Sequence, residues 1–233
     1  MAISYKRHRF PREIISHTMW LYHRFALSLR DVSEILSQRG IFLSYEAIRY
    51  WAKKFGLSFA REIKKRSPQR GDKWHLDEVC LAIKGQKYWL WRAVDQDGYE
   101  LDILLQSRRN FVAAKRFFQR LLQGPAYIPR VLITDKLRSY NKARNSLIPH
   151  TEHRQHKGLN NRAENSHQST RQQERKMRKF KSPPQAQRFL VIHGSIQNLF
   201  KVGRYKHSAN HYRQLIQNAH LLWQEVTSQV NYV

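Results

Sequence analysis

Lys73-Trp74-His75-Leu76-Asp77-Glu78-Val79-Cys80-Leu81-Ala82-Ile83 is the stretch where the chain changes period. Upstream, apolar residues recur at helical spacing. From Trp74 to Ile83 the composition is β-forming and apolar, Lys84-Gly85-Gln86 suits a turn, and Tyr88 to Val94 is almost continuously apolar. Asp95-Gln96-Asp97-Gly98 is a strong turn signal, and Tyr99, Leu101 and Ile103 alternate beyond it. The pattern predicts a three-stranded antiparallel meander, with Cys80 packed in the core.

Downstream, Ala114, Phe117, Phe118 and Leu121 share one face of a helix spanning 110–123, stopped by Gly124-Pro125. Val131-Leu132-Ile133-Thr134 reads as a buried strand ending at Asp135, followed by a helix over 137–145 and a strand over 148–154. Asn161 is placed to cap a helix running to about Met177, and two more helices are predicted over 186–202 and 211–226. Strand, strand, strand, helix, strand, helix, strand, helix is an α/β order with a mixed sheet.

Upstream, Pro11 opens a helix that buries Ile15, Met19 and Tyr22, and Ser28 with Asp31 forms a capping-box signal for a second that buries Val32, Ile35 and Leu36. A third starts near Ser44, buries Ile48, Trp51, Ala52 and Phe55, and closes at Gly56, leaving Arg49, Tyr50, Lys53 and Lys54 for solvent or a ligand. A tight link before a basic third helix predicts a helix-turn-helix. The domain boundaries expected are a helix-turn-helix domain at 1–60, a basic linker at 61–72, a catalytic domain at 73–182, and C-terminal helices at 183–233 that complete the core or pair protomers.

The 233 residues carry 43 Lys and Arg against 17 Asp and Glu, a formal net charge of +26. A compact chain this basic repels itself, and a partner rich in phosphates relieves that repulsion while releasing counterions. DNA or RNA is therefore the expected partner. One cysteine excludes an internal disulfide and a thiolate zinc cluster. No stretch approaches the roughly 18 apolar residues of a membrane span, so a soluble, cytoplasmic, nucleoid-associated protein is expected.

Against this basic background three acids stand out: Asp77 within the first strand, Asp135 at the end of the fourth, and Glu164 one turn into a later helix. Phosphodiester chemistry with two Mg²⁺ ions, or Mn²⁺ in their place, needs carboxylates converging from different elements. In a ribonuclease-H-like sheet the first and fourth strands are neighbours, which would bring two of the acids together and leave the helix to carry the third across. Glu164, His167, Gln168 and Arg171 lie on one helical face, and Lys136 to Lys181 holds 13 Lys and Arg against 3 Glu. Lys136, Arg162, His167, Arg171 and Arg175 are accordingly expected to contact DNA. His150, His153 and His156 do not share a face of a short strand and are read as structural or phosphate-facing rather than as a metal site.

His75-Leu76-Asp77-Glu78, Arg92-Ala93-Val94-Asp95, Ser107-Arg108-Arg109-Asn110, Ile133-Thr134-Asp135-Lys136, Glu152-His153-Arg154-Gln155 and Asn160-Asn161-Arg162-Ala163-Glu164-Asn165-Ser166-His167 together resemble the IS-six group of bacterial insertion-sequence transposases. The resemblance spans nearly the whole chain. It implies a retroviral-integrase-like catalytic fold, a DDE triad at Asp77, Asp135 and Glu164 that binds Mg²⁺, and a basic residue at Arg171. It also implies cut-and-join chemistry on terminal inverted repeats and target DNA without a covalent enzyme intermediate, carried out by a homodimer or larger assembly. Only 28 residues separate Asp135 from Glu164, fewer than is usual in that superfamily, and a shorter loop near Asn145-Ser146 would account for it. Two competing functions are a helix-turn-helix regulator without catalysis and a ribonuclease-H-like nuclease that hydrolyses but does not join.

Overall fold

The computed structural model describes residues 4–68, 71–123, 127–156, 158, 160–203 and 206–228. Its described elements are α1 (Arg12–Arg24), α2 (Leu29–Ser37), α3 (Tyr45–Arg66), β1 (Lys73–Ile83), β2 (Gln86–Asp95), β3 (Glu100–Gln106), α4 (Phe111–Leu122), β4 (Val131–Thr134), α5 (Arg138–Leu147), β5 (Glu152–Gln155), α6 (Asn161–Lys176), α7 (Pro183–Leu199) and α8 (Ala209–Ser228). They form two compact units, one of residues 1–67 with 191–233 and one of residues 68–190.

The five strands of the second unit are ordered β3-β2-β1-β4-β5. β1 runs antiparallel to β2 and parallel to β4, and β4 is parallel to β5. This is the ribonuclease-H-like mixed sheet expected of the sequence. Strand alternation divides its central residues between two faces. Trp74, Leu76, Trp91 and Ala93 pack with Phe117, Phe118, Tyr140 and Ala143 from α4 and α5 in one apolar cluster. Asp77 pairs across the ladder with Arg92 on the opposite face. Asn110 caps α4 by accepting from the Ala113 amide at 3.0 Å. The exposed edge at β3 is closed by Gln187 of α7, which accepts from the Leu105 amide at 2.7 Å and donates to the Ile103 carbonyl at 3.0 Å.

In the helical unit, the capping box at Ser28 and Asp31 is complete. α2 and α3, joined by residues 38–44, provide the expected helix-turn-helix. Its core joins Ile15, Met19, Trp51, Phe55 and Phe59 to Ile192, Ile196, Phe200, Trp223 and Val226. The C-terminal helices therefore complete the core of the N-terminal helices.

Several local expectations differ from the structure. Gly56 does not end α3, which continues to Arg66, so residues 61–66 are helix rather than linker. The glycine is there for close packing, since a Cβ would lie 2.4 Å from Ile192 Cδ1. Ile35 is exposed rather than buried. Cys80 is exposed: in the outer half of β1 it shares an open face with Ala82, while Val79, Leu81 and Ile83 on the other face are buried. Asn145 and Ser146 lie within α5, so no short loop there explains the interval between Asp135 and Glu164.

Candidate active site

The parallel register of β1 and β4 pairs Leu76 with Thr134, so the next residue of each chain is an aspartate. Asp77 and Asp135 meet there, and the carboxylate oxygens of Asp77, Glu78 and Asp135 lie within 4.8 Å of one another. β4 ends at this point because the Asp135 Oδ1 turns back to accept from the Leu137 amide at 2.9 Å, opening the turn into α5.

Alternation sends Glu78 to the face opposite Asp77, where it is fully buried. Both of its oxygens are occupied. Oε1 accepts from Arg109 Nε at 2.6 Å, and Oε2 accepts from the Tyr140 hydroxyl at 2.5 Å. Burial, reinforced by Asp135, lifts the Glu78 carboxyl to about 7 against the opposing pull of Tyr140 and Arg109. The Arg109 guanidinium also lies 3.6 Å from Asp135 Oδ2 and stacks over Trp89, 4.9 Å from the ring centroid.

On the other face, His167 of α6 points its Nε2 at Asp77 Oδ2, 3.3 Å away. Burial depresses the His167 pKa, and the hydrogen bond with Asp77 partly offsets this. α6 is held on the sheet by polar contacts. Arg92, fully buried and ion-paired with Glu100 at 3.2 Å, donates to the Ser166 carbonyl and to Thr170 Oγ1, the latter at 2.6 Å. Asn160 Nδ2 donates to the Leu76 carbonyl at 2.8 Å, fixing the start of α6 beside Asp77. The buried stripe of α6 is Ala163, His167, Thr170 and Gln173.

Asp77 and Asp135 are thus brought together. Glu164 falls in the first turn of α6, whose start is tied to β1, but its side chain and those of Arg162 and Asn165 lie outside the described residues. Hard carboxylate oxygens from the middle of β1 and the tip of the parallel β4 fit an oxygen-seeking divalent cation. Glu78, with both oxygens committed, is bound into the support of the site instead.

The expected DNA contacts divide. Lys136, Arg171 and Arg175 are exposed in the sheet unit. Tyr50, Lys53 and Lys54 are exposed on α3, where Arg49 is also exposed and pairs with Glu46 at 2.6 Å. His167 departs from expectation: it is buried against Asp77 and is not part of the same surface as Arg171. His153 meets Thr134 Oγ1 at 2.9 Å, a structural role. Sequence reasoning assigned no role to Glu78, Arg109, Tyr140 or Arg92. The Arg92 and Arg109 motifs were visible, but their partners are 31 to 78 residues away along the chain.

A family model described as a DDE domain matches residues 71–203. The transposase for insertion sequence-like element IS431mec of Staphylococcus aureus strain Mu50 is 32% identical over 147 residues, 63% of this chain and 65% of that protein. The transposase for insertion sequence element IS257 in transposon Tn4003 of Staphylococcus aureus is 33% identical over the same span. The similarity thus covers just under two thirds of these relatives' length. Among solved structures, the HTLV-2 integrase catalytic core domain in complex with magnesium is 18% identical over 59% of this chain and 90% of that one, with a TM-score of 0.38. A score that low carries no weight, and the fold rests on the strand order itself.

Proposed function

The chain belongs to the DDE domain family of insertion-sequence transposases, and on that premise we propose that it binds the terminal inverted repeats of its element, cleaves a DNA strand at each end, and joins the freed ends to target DNA. The observation that carries this is the convergence of Asp77, within β1, and Asp135, just beyond the end of β4. A basic helix beginning beside Asp77 supports it.

In this reading Asp77, Asp135 and Glu164 hold two Mg²⁺ ions, which supply Lewis-acid stabilisation of the attacking and leaving oxygens of the phosphodiester. Cleavage forms a bond from water oxygen to phosphorus and breaks the phosphorus–O3′ bond, leaving a 3′-hydroxyl. Joining forms a bond from that 3′ oxygen to a target phosphorus and releases a target 3′ oxygen, so no bond to the protein is made. His167 lies 3.3 Å from one oxygen of Asp77 and would orient that carboxylate as a ligand. Exposed Arg171 and Arg175 on α6 hold DNA phosphates, as does Lys136 next to Asp135. Arg49, Tyr50, Lys53 and Lys54 on α3 contact the repeats. Joining two ends calls for at least a dimer.

His167→Phe keeps an aromatic ring in the buried stripe but removes the partner of Asp77. We expect the Mg²⁺ concentration for half-maximal joining to rise by about 10–100-fold, as for other residues that orient a metal ligand. A Mg²⁺ titration of joining checks it, and an unchanged midpoint contradicts it. The function itself is tested by incubating the purified protein with labelled repeat DNA, target DNA and Mg²⁺. Joined products are expected. Hydrolysed fragments alone would identify a nuclease, and binding without cleavage a regulator.

A further inference from the structure

The proposed chemistry makes no use of Arg109, yet this partly exposed cation is held in place at the site by fixed partners. Glu78, fully buried, accepts from its Nε at 2.6 Å, and Tyr140 holds the other oxygen of Glu78 at 2.5 Å from below. The Trp89 ring restrains the guanidinium plane from the side. The Arg109 side chain remains 37% exposed, and its Nη2, which also pairs with Glu78 Oε1 at 2.5 Å, lies 3.6 Å from Asp135 Oδ2. A guanidinium has five N–H donors; Nε and one donor of Nη2 serve Glu78, which leaves three, one of them on the Nη2 that lies nearest Asp135. Had neutralising Glu78 been the only requirement, a lysine or a wholly buried arginine would meet it. Here a rigid, planar fork is presented at the surface beside a carboxylate assigned to a metal.

We propose that Arg109 is a phosphate-positioning residue of the joining reaction, with Glu78, Tyr140 and Trp89 as its supports. The inference rests on the transposase reading above. Once Asp135 turns its oxygen toward a cation, the donors of Arg109 that face it need another anion. Glu78 keeps Arg109 from following Asp135. The anion that must come within a few ångströms of Asp135 during cleavage or joining is the phosphate being attacked, and guanidinium geometry matches two of its oxygens.

Two measurements test this together. In single-turnover joining, Arg109→Met should lower the rate by about 10²-fold, the usual loss when a fixed electrostatic donor is removed. The double variant Glu78→Gln/Arg109→Met, which leaves no unpaired buried charge, should remain as slow while melting near the wild-type temperature. The second is DNA affinity without chemistry, read by fluorescence anisotropy in Ca²⁺, on repeat DNA with the cleaved phosphate replaced by an uncharged methylphosphonate. The wild type should lose about 10-fold in affinity, the worth of one charge-assisted hydrogen-bonded contact, while Arg109→Met should lose less than about threefold. Recovery of joining by the double variant would make Arg109 a mere counterion to Glu78 and overturn the proposal. So would equal affinity losses in wild type and variant, or no loss in the wild type. Wild-type protein that fails to join unmodified DNA would instead refute the transposase reading itself.

Discussion

Asp77→Asn and Asp135→Asn are each expected to bind repeat DNA as the wild type does and to join it at least about 10³-fold more slowly, the scale seen when one member of a cooperating catalytic set is removed. The substitution is nearly isosteric, so the packing of β1 against α6 survives. What changes is charge and donor character. An asparagine at 77 still offers an oxygen toward His167 Nε2, now 3.3 Å from an Asp77 oxygen, but it removes half the negative charge that these two aspartates bring together. An asparagine at 135 preserves the turn into α5, because its side-chain oxygen can still accept from the Leu137 amide. Single-turnover joining alongside a gel-shift titration measures both effects. Joining within tenfold of wild type for either variant removes that aspartate from the reaction.

The largest expected effect on stability is at Arg92. Arg92→Met fills similar volume without the charge, and the melting free energy of the sheet unit should fall by about 3–5 kcal/mol, the range for breaking one partner out of a buried ion pair. The loss has two parts. Glu100, mostly buried and 3.2 Å from the Arg92 guanidinium, loses the charge of that guanidinium. The Ser166 carbonyl and Thr170 hydroxyl lose the donors that tie α6 to β2. Arg92→Lys should recover only part of this, since one ammonium cannot reach Glu100, Ser166 and Thr170 from a single fixed position. Because Arg92 anchors the helix that carries Glu164 and His167, joining should fall in both variants even below their melting temperatures. Denaturant unfolding decides it: a change under 1 kcal/mol for Arg92→Met would show that α6 is held by something else.

The sheet was legible from sequence because β1 to β4 carry strong local signals: alternation, apolar runs, and the turns at Lys84-Gly85 and Asp95-Gln96-Asp97-Gly98. The nearness of Asp77 to Asp135 was legible for the same reason, since strand order places Asp77 inside the first strand beside the tip of the fourth. α6 was legible as a helix but not by face. Its buried stripe is Ala163, His167, Thr170 and Gln173, mostly polar residues, of which Thr170 meets Arg92 and His167 faces Asp77, so apolar periodicity places His167 on the outside. Gly56 reads as a helix end because glycine usually stops a helix, whereas here it sits inside α3 where Ile192 packs closely against it. The support of the site was not legible at all. Arg109 with Glu78 and Tyr140 with Glu78 are contacts between residues 31 and 62 positions apart, and no local pattern in the sequence encodes them.

Everything proposed here depends on Asp77 and Asp135 sharing divalent cations. Crystals of the protein grown with Mn²⁺ and measured at the manganese absorption edge should show an anomalous peak within coordination distance, about 2.2 Å, of carboxylate oxygens from both residues. Mn²⁺ bound only elsewhere, or no peak between Asp77 and Asp135 at saturating Mn²⁺, would contradict it.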